Sequence, residues 1–475
     1  MTVPDRPLLQ LADLHGSLSD PLLDAMNFLN EVTTRYPEAI SFAPGRPYEG
    51  FFEVGQVHEY LDAYLDHLRT ESGLDESRIR TEIFQYGRTK GVIHGLLART
   101  LAHDEDIHVA PEALVLTVGA QEGMLLVLRA LFAEPEDVLL VSSPCYIGIT
   151  GAARMLDVEY VPVPERADGV PDPEAVARIA GRVRAAGRRP RAFYLVPDFA
   201  NPSGSSMPVP ERERLLQVAA EQDLLVVEDN PYGFFSLEAA FRPTLKSLDR
   251  DCRVVYLGSF AKTCFPGARL GYAIADQPVA GSDGRVSLLA DELAKLKSMV
   301  TVNTPSLSQA VIGGMLVRSG CRLRQANEKA AAFYADNMRT LLSELERHFP
   351  EAARERLGVH WNSPEGGFFA VVAVPFAADD AAMERCARDY GVLWTPMAGF
   401  YPQGGGERLL RLSCSYLDTR GIAEGVRRLA TFIKDTAIKD TAIKDTAIKD
   451  TAIEETAIAE AGAAAGRTPE AATPV

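Results

Sequence analysis

Residues 258–272 read GSFAKTCFPGARLGY and join two short apolar runs. Runs of that length and composition are typical of buried strands, so the stretch predicts a strand, a polar turn and a second strand. The turn holds Lys262, with Ser259 before it and Arg269 after it. Lysine and arginine are ordinary on a protein surface. A lysine close to other positive charges, however, has a lowered pKa and becomes an effective amine nucleophile.

The segments before this stretch alternate between strand-like and helix-like patterns. Apolar β-branched runs end in Gly, Pro or charged residues, and an apolar helical face follows them. This alternation predicts an α/β fold with a mostly parallel sheet that is covered on both faces. Ligands of such sheets bind at the C-terminal ends of the strands. The segments are ALVLTVGA (113–120), EGMLLVLRALF (122–132), DVLLVSSPCY (137–146), RAFYLVPDFANPSG (191–204) and LLVVEDNPYG (224–233).

Four units are expected along the chain of 475 residues. The alternating pattern occupies a large domain, 46–324, and the helices and short strands beyond it indicate a small α+β domain, 325–433. Residues 1–45 are expected to lie over the site and the small domain. In the last unit, 434–475, the motif KDTAI repeats four times. A five-residue period turns each isoleucine by about 140° on a helix, so this tail has no continuous apolar face and is predicted to be largely disordered, with partner binding as the alternative.

The composition excludes several classes of protein. Lys and Arg number 49 against 65 Asp and Glu, and the resulting net charge of −16 argues against a general nucleic-acid binder. The six cysteines include no CxxC pair, which indicates free thiols in a reducing compartment. The sequence has no metal-ligand cluster, no signal-peptide pattern and no membrane-spanning run. We therefore expect a soluble cytoplasmic protein.

The stretch 258–272 resembles the lysine segment of the class I/II aminotransferases, whose pattern is close to S-F-S/A-K-x-x-x-P-G-x-R-x-G. The likeness covers about residues 40–433. It implies the fold type I architecture, in which a large domain with a mostly parallel seven-stranded sheet stands beside a small α+β domain. It also implies pyridoxal 5′-phosphate as the cofactor, with Lys262 as the catalytic residue that binds it. Ser259 and Arg269 would hold the cofactor's phosphate.

The resemblance places further residues around the same cofactor. Asp229, in VVEDNPYG, would pair with the pyridine nitrogen, and a turn-capping aspartate is the alternative. Tyr232 and Asn201 would hydrogen-bond the cofactor's 3′-oxygen, although NPSG is also an ordinary turn. Ala120 and Gln121, in GAQEG, stand at a helix start whose amides suit a phosphate.

Two tyrosines also receive roles from the resemblance. Tyr146, in SSPCYIG, would stack on the pyridine ring, and an aromatic core residue is the alternative. Tyr86, in FQYGRTKG, would reach the phosphate in the neighbouring subunit's site. The second role implies a homodimer with shared active sites.

The expected substrate-binding residues lie outside the large sheet. Arg411, in LLRLSCSY, resembles the small-domain arginine that takes the α-carboxylate, which a guanidinium matches with two parallel hydrogen bonds. The segment 41–52, SFAPGRPYEGFF, resembles the N-terminal segment that closes over the substrate, where Gly45 allows close approach. Arg46 either meets a second carboxylate or is solvated.

Within the family, the likeness is nearest to the 2-aminoadipate and aromatic aminotransferase branch. Residues 26–52 add a likeness to the hydroxyphenylglycine transaminases of antibiotic biosynthesis. That likeness implies the conversion of 3,5-dihydroxyphenylglyoxylate to (S)-3,5-dihydroxyphenylglycine, with glutamate/2-oxoglutarate or an aromatic amino acid as co-substrate. An oxidase, cyclase or lyase on the same scaffold would share these motifs. The effector-binding domain of a transcription regulator would need a DNA-binding domain ahead of it, and the residues before the family segment show no basic patch.

Overall fold

The computed structural model describes residues 9–20, 22–23, 34–166, 168–238 and 241–438. Most of the predicted repetitive tail, from residue 439 onward, lies outside the described residues, as does much of the predicted N-terminal unit. Within the described ranges, no helix combines the length and the apolar character that a membrane span requires. All six cysteines fall in these ranges and are unpaired.

Strands and helices alternate through the large domain, and shorter strands follow in the small domain. The strands are Ile40–Ser41 (β1), Leu114–Thr117 (β2), Asp137–Ser143 (β3), Glu159–Pro164 (β4), Arg189–Leu195 (β5), Leu225–Asp229 (β6), Val254–Ser259 (β7), Gly271–Ile274 (β8), Pro278–Ala280 (β9), Val286–Leu288 (β10), His360–Trp361 (β11), Phe369–Ala373 (β12), Val392–Leu393 (β13), Thr395–Pro396 (β14) and Leu409–Ser413 (β15). The helices are Gln56–Thr70 (α1), Glu76–Phe84 (α2), His94–Glu105 (α3), Gly119–Leu131 (α4), Ile147–Met155 (α5), Pro173–Ala185 (α6), Val209–Glu221 (α7), Leu245–Leu248 (α8), Phe260–Thr263 (α9), Leu289–Val300 (α10), Ser306–Arg318 (α11), Leu323–Ala326 (α12), Glu328–His348 (α13), Glu351–Leu357 (α14), Asp380–Tyr390 (α15) and 419–438 (α16).

The large domain is built on a seven-stranded sheet in the order β2-β8-β7-β6-β5-β3-β4. Strand β8 is antiparallel to both of its neighbours, and the other neighbouring strands pair in parallel. All strands except β8 therefore run in one direction. The mostly parallel sheet expected from the alternating sequence pattern is confirmed.

The central strands of this sheet are buried on both faces. In β6, the adjacent residues Val226 and Val227 are both inaccessible to solvent. Because successive side chains point to opposite faces, Val226 packs in the cluster of Leu215 of α7, and Val227 packs in the cluster of Leu128 of α4. The continuous apolar run LVV reflects this double coverage.

The small domain has an antiparallel four-stranded sheet in the order β11-β12-β15-β14. Its apolar core includes Trp394, Leu341 of α13 and Val426 of α16. Strand β1, from the N-terminal part of the chain, pairs in parallel with β13. Phe42, directly after β1, is fully buried in the same core. The segment that follows β1 is therefore attached to the small domain.

Helix α16 extends beyond the expected start of the tail and includes residues 434–438. Asp435 accepts a hydrogen bond from the Tyr390 hydroxyl (2.9 Å), and Ala437 is 6% exposed. Ile438 is already 65% exposed. The first repeat thus packs on the small domain through one short stretch of helix.

Helices α1 and α11 approach each other so closely that one contact leaves no room for a side chain. A Cβ at Gly314 would lie 1.6 Å from the backbone oxygen of Tyr60. Forced packing of this kind costs about 1–3 kcal/mol. We expect Gly314→Ala to lower the apparent melting temperature, measured by differential scanning calorimetry.

The matched control for this prediction is Gly151→Ala in α5. A Cβ at Gly151 meets nothing within 4 Å, and alanine is about 1 kcal/mol more favourable than glycine inside a helix. The control should therefore melt at the same temperature as the unmodified protein or above it. Equal losses in the two variants would contradict the steric argument.

Candidate active site

A cavity of about 330 Å³ lies where the C-terminal ends of the large-domain strands face the small domain. The end of β6 lines it on one side, and β12 and β15 line it on the other. The cavity brings together every site residue proposed from the sequence except Tyr86. These residues are Gly45, Arg46, Ala120, Gln121, Tyr146, Asn201, Asp229, Tyr232, Ser259, Lys262, Arg269 and Arg411.

The stretch 258–272 forms one wall of the cavity. Strand β7 ends at Ser259, and Lys262 follows in the short helix α9. The chain then returns antiparallel as β8, which places Gly271 opposite Ser259. A Cβ at Gly271 would lie 2.7 Å from the backbone nitrogen of Ala120. Glycine at this position therefore allows the start of α4 to approach the lysine segment.

The Lys262 amine donates a hydrogen bond to the backbone oxygen of Gly45 (2.8 Å). Burial lowers the pKa of this amine to about 8, and the positive charges of Arg269 and Arg411 act in the same direction. The negative charge of Asp229 opposes them. A pKa near 8 gives the neutral amine an appreciable population at neutral pH, as a nucleophile or proton acceptor requires.

The start of α4 and the side chain of Arg269 form a positively charged corner of the cavity. Helix α4 begins at Gly119, whose φ is +73°. The first amides of a helix have no partner within it. The Arg269 Nη2 atom lies 2.7 Å from where a Cβ of Gly119 would stand, and Ser259 lines the same corner. A helix start beside an arginine and a hydroxyl suits a phosphate group.

Glu122 anchors this helix start, a role that the sequence analysis did not identify. Its carboxylate accepts hydrogen bonds from the Val118 amide (2.6 Å), the Lys297 amine (2.7 Å) and the Thr301 hydroxyl (2.6 Å). Lys297 is fully buried and Glu122 is 7% exposed. A glutamate near a helix start is a capping signal, but its partner Lys297 lies 175 positions away, beyond any local pattern.

Asp229 ends β6 on the sheet face that turns towards the cavity. The preceding residue, Glu228, points to the opposite face and accepts two backbone amides at the start of α8. Asp229 is 3% exposed, its Oδ2 accepts a hydrogen bond from the Tyr194 hydroxyl (2.7 Å), and its buried Oδ1 has no partner in the described ranges. Burial raises the pKa of this carboxyl to about 7, while Tyr194 and the charge of Lys262 lower it.

Arg411, on β15, is held by acceptors of the protein itself. Its terminal nitrogens donate to the Asn201 side chain, the backbone oxygen of Ala43 (2.8 Å) and the Thr395 hydroxyl (3.2 Å). Its Nε is buried and has no partner among the described residues. Asn201 also lies close enough to Tyr232 to lower the pKa of its hydroxyl, against the larger effect of burial, which raises it. The two residues proposed for the cofactor's 3′-oxygen therefore lie close together at the cavity.

Two phenylalanine rings flank the Arg411 guanidinium. The ring centres of Phe369 and Phe400 lie 4.4 and 5.3 Å from its central carbon. Burial lowers the pKa of Arg411 to about 10, so the group stays charged at neutral pH. A desolvated cation with an unpaired N–H suits a carboxylate. No motif in the sequence indicated Phe369.

Residues 43–46 form the edge of the cavity between the two domains. A Cβ at Gly45 would lie 2.4 Å from the Phe369 ring, so this close approach requires glycine. The Arg46 side chain is exposed, and its guanidinium carbon lies 4.7 Å from the ring centre of Tyr416. The structure therefore places both N-terminal candidates at the cavity.

Tyr86 does not line the cavity of its own chain. It lies in the loop after α2 and is 84% exposed. A role in a partner subunit's site stays a proposal.

Comparison with known proteins decides the family. The family model described as aminotransferase class I and II matches residues 71–429.

This chain is a class I/II aminotransferase.

Named relatives of this aminotransferase match it over most of its length. It is 51% identical to (S)-3,5-dihydroxyphenylglycine transaminase of Amycolatopsis orientalis over 428 residues, which cover 90% of this chain and 94% of that protein. It is 32% identical to 2-aminoadipate transaminase of Thermus thermophilus, over 84% of this chain and 91% of that protein. The crystal structure of α-aminoadipate aminotransferase from Thermus thermophilus, complexed with N-(5′-phosphopyridoxyl)-L-leucine, has a TM-score of 0.72 at 28% identity and covers 90% of this chain and 99% of that one.

The cofactor of the aminotransferase is pyridoxal phosphate, and the donors and acceptors of the cavity fit it. The Lys262 amine suits the aldehyde group, and the corner formed by Arg269 and the start of α4 suits the phosphate. The buried Oδ1 of Asp229, which has no partner among the residues that the structure describes, suits the N–H of a protonated ring nitrogen. The groups are therefore complementary to the cofactor at three separate points.

We expect the cofactor-free aminotransferase to capture pyridoxal phosphate at a rate that rises with pH through about 8 and then levels off. Lys262 reacts as the neutral amine, and its pKa is lowered to about 8 from the ordinary 10.5. Stopped-flow absorbance of the cofactor measures the rate. A midpoint near the ordinary lysine value would contradict the prediction.

The cations that lower this pKa provide the control. Arg411→Gln removes one of them and should move the midpoint to higher pH. Arg250→Gln changes an exposed arginine outside the cavity and should leave the midpoint in place. Equal midpoints in the two variants would show that Arg411 does not act on the amine.

Proposed function

We propose that this transaminase forms (S)-3,5-dihydroxyphenylglycine from 3,5-dihydroxyphenylglyoxylate. The observation that carries the proposal is the 51% identity, over 90% of the chain, to the transaminase named for that amino acid. Glutamate or an aromatic amino acid would donate the amino group. The 32% identity to 2-aminoadipate transaminase makes 2-aminoadipate the second candidate substrate.

The walls of the cavity support an aryl substrate. Tyr146, Phe369 and Phe400 line it, together with Met124 and Ile147. Aromatic and thioether side chains make favourable contacts with aryl rings. A substrate whose carboxylate binds Arg411 would carry its ring beside these apolar groups.

The proposed roles divide the reaction among three side chains. Pyridoxal phosphate, when bound, accepts the electron pair that the substrate α-carbon releases. Lys262 takes the proton from that carbon on Nζ and later gives it up, first as a base and then as an acid. Asp229 holds the proton of the ring nitrogen at Oδ1, and Arg411 fixes the substrate carboxylate so that the α-carbon is correctly oriented.

An arylglycine makes an additional demand on the site. Its ring is attached directly to the α-carbon and also stabilises negative charge there, so the α-proton exchanges easily and racemisation is a hazard. The site must therefore deliver the proton from one side only. Lys262 is carried by α9 of the large domain, whereas Arg411 is carried by β15 of the small domain. Each residue lies on a helix or strand, which restricts the motion of the proton carrier and of the group proposed to bind the substrate carboxylate.

We also propose that Arg46 meets the second carboxylate of glutamate or 2-oxoglutarate. Arg46 lines the cavity, and its guanidinium lies over the Tyr416 ring. This position over the ring keeps the planar donor group oriented while leaving its N–H groups for a carboxylate. An aromatic co-substrate would not use this contact.

The substrate proposal is tested with purified enzyme, pyridoxal phosphate, 2-oxoglutarate and a panel of amino donors. We expect kcat/KM for (S)-3,5-dihydroxyphenylglycine to exceed that for 2-aminoadipate, phenylalanine and tyrosine by at least about tenfold, which about 1.4 kcal/mol of differential transition-state binding provides. Chromatography of the keto acid and glutamate products measures the transfer. A preference for 2-aminoadipate would replace the first candidate by the second.

Two lysine variants control this experiment. Lys262→Ala should lower turnover by at least about 100-fold, since it removes the proton carrier. Lys329→Ala, an exposed residue of α13, should leave turnover unchanged. Oxygen consumption without transfer of the amino group would instead identify an oxidase on this scaffold.

A homodimer with shared sites forms the last part of the proposal. Tyr86 and three further apolar side chains are exposed: Phe84, Met299 and Leu307, at 75%, 85% and 53%. A hydrogen bond of 2.6 Å from Ser306 to the Ile83 backbone oxygen joins the start of α11, which carries Leu307, to α2, which carries Phe84. Large exposed apolar side chains of this kind are frequent at protein interfaces. A second copy of the chain would cover them and bring Tyr86 to the phosphate corner.

We expect Tyr86→Ala to weaken retention of pyridoxal phosphate, and mixing with Lys262→Ala to restore it in part. In a mixed dimer, one site combines Lys262 from the first chain with Tyr86 from the second. Activity after mixing, and molar mass by analytical ultracentrifugation, measure the effect. A monomer, or mixing without recovery, would contradict shared sites.

A further inference from the structure

We propose that Tyr194 is a positioning residue that keeps the proton on the cofactor's ring nitrogen by acting through Asp229. Tyr194 lies in the strand segment 191–204, and no role at the site was predicted for it. The inference rests on the proposed role of Asp229 at that nitrogen and extends it to a side chain that touches neither cofactor nor substrate.

The sheet register brings the two side chains together. Tyr194 on β5 faces Val227 on β6, two residues before Asp229. Residues two apart on a strand share a face, so Tyr194 and Asp229 emerge on the same side of the sheet. The phenol spans the remaining distance along the strand, and its hydroxyl donates to Asp229 Oδ2 at 2.7 Å.

Both groups are removed from water. Tyr194 is 0% exposed and Asp229 is 3% exposed. In such surroundings a hydrogen bond to an ionised group is strong, and its loss leaves a buried charge under-satisfied. Packing alone at position 194 would be served by phenylalanine. The hydroxyl therefore has its function in the contact with Asp229.

The hydrogen bond from Tyr194 gives the two Asp229 carboxylate oxygens different roles. Oδ2 is occupied by the Tyr194 hydroxyl, whereas the buried Oδ1 has no partner within the described chain. An ionised carboxylate accepts at both oxygens, but a protonated one must donate at one of them. A donor fixed on Oδ2 thus favours the ionised form, which leaves Oδ1 as an acceptor for the N–H of the ring.

Removal of the Tyr194 hydroxyl should shift the shared proton from the cofactor's ring nitrogen towards Asp229. Burial raises the pKa of Asp229 to about 7, and the hydrogen bond from Tyr194 counteracts this effect. Without it, the carboxyl becomes more basic and draws the proton away from the ring nitrogen. The ring then accepts electrons less well, so kcat falls. KM changes little, because the groups proposed to bind the substrate are untouched.

The test uses the full chain reconstituted with pyridoxal phosphate that carries ¹⁵N at the ring nitrogen. Solid-state NMR should show a protonated nitrogen in the unmodified protein and a shift towards the unprotonated nitrogen in Tyr194→Phe. We expect kcat to fall about tenfold and KM to stay within about twofold, which corresponds to about 1.4 kcal/mol in the transition state.

A second modification should change the protonation of the ring nitrogen in the opposite direction. Placing 3-fluorotyrosine at position 194 by codon suppression makes the phenol more acidic and therefore a stronger donor. The nitrogen signal should then move towards the fully protonated position, or stay there if it has already reached it. The pH at which the nitrogen loses its proton should fall, because the less basic Asp229 carboxylate stabilises the N–H less. A merely structural role would not produce opposite responses to the two changes.

The control variant is Tyr64→Phe, in which a buried tyrosine of α1 loses a hydroxyl that donates to Glu82 (3.3 Å). It should leave the nitrogen signal unchanged. An unchanged signal in Tyr194→Phe with bound cofactor overturns the proposal, and if that variant does not fold, an unchanged titration in the fluorinated protein overturns it. If the unmodified protein neither binds the cofactor nor transfers amino groups, the proposed function fails instead.

Discussion

The antiparallel pairing of β8 with β7 is the contact on which the rest of the site depends. It returns the chain along the edge of β7, so that Lys262 before the turn and Arg269 after it lie at the same end of the sheet. Gly271, at the first paired position of β8, leaves space for the backbone of Ala120. One short segment thus supplies the amine, the arginine and the space for the phosphate-binding helix start.

The cavity collects ionisable groups that do not neutralise one another. The pKa of Lys262 and that of Arg411 are lowered and that of Asp229 is raised, and in each case burial is the largest cause. Burying such groups without complete partners costs stability, and they concentrate at functional sites for that reason. The phosphate, the ring nitrogen and the substrate carboxylate are the complementary charges. The overall charge of −16 therefore says little about the site, whose cations act locally.

The sequence predicted those parts of the structure that have a local signal. Alternating apolar runs gave the fold class, and motifs at strand ends gave Lys262 and Asp229. The opposite direction of β8 was not predicted, because an apolar run carries no information on strand direction. The roles of Tyr194 and Lys297 were not predicted for a related reason. Their partners lie 35 and 175 positions away in the sequence, and the contacts form only when the strands and helices pack together.

Arg411 illustrates how folding can prepare a binding group. Its terminal nitrogens donate hydrogen bonds to Ala43, Asn201 and Thr395. The rings of Phe369 and Phe400 flank its guanidinium. A free arginine side chain carries about 2 kcal/mol of rotamer entropy, which it normally loses when it binds a ligand. In this protein Arg411 has already lost that rotamer entropy on folding. A ligand carboxylate therefore binds it more tightly without any additional contact. The same rigidity confers shape selection: an arginine that cannot turn favours a flat acid group over a tetrahedral one such as a phosphonate.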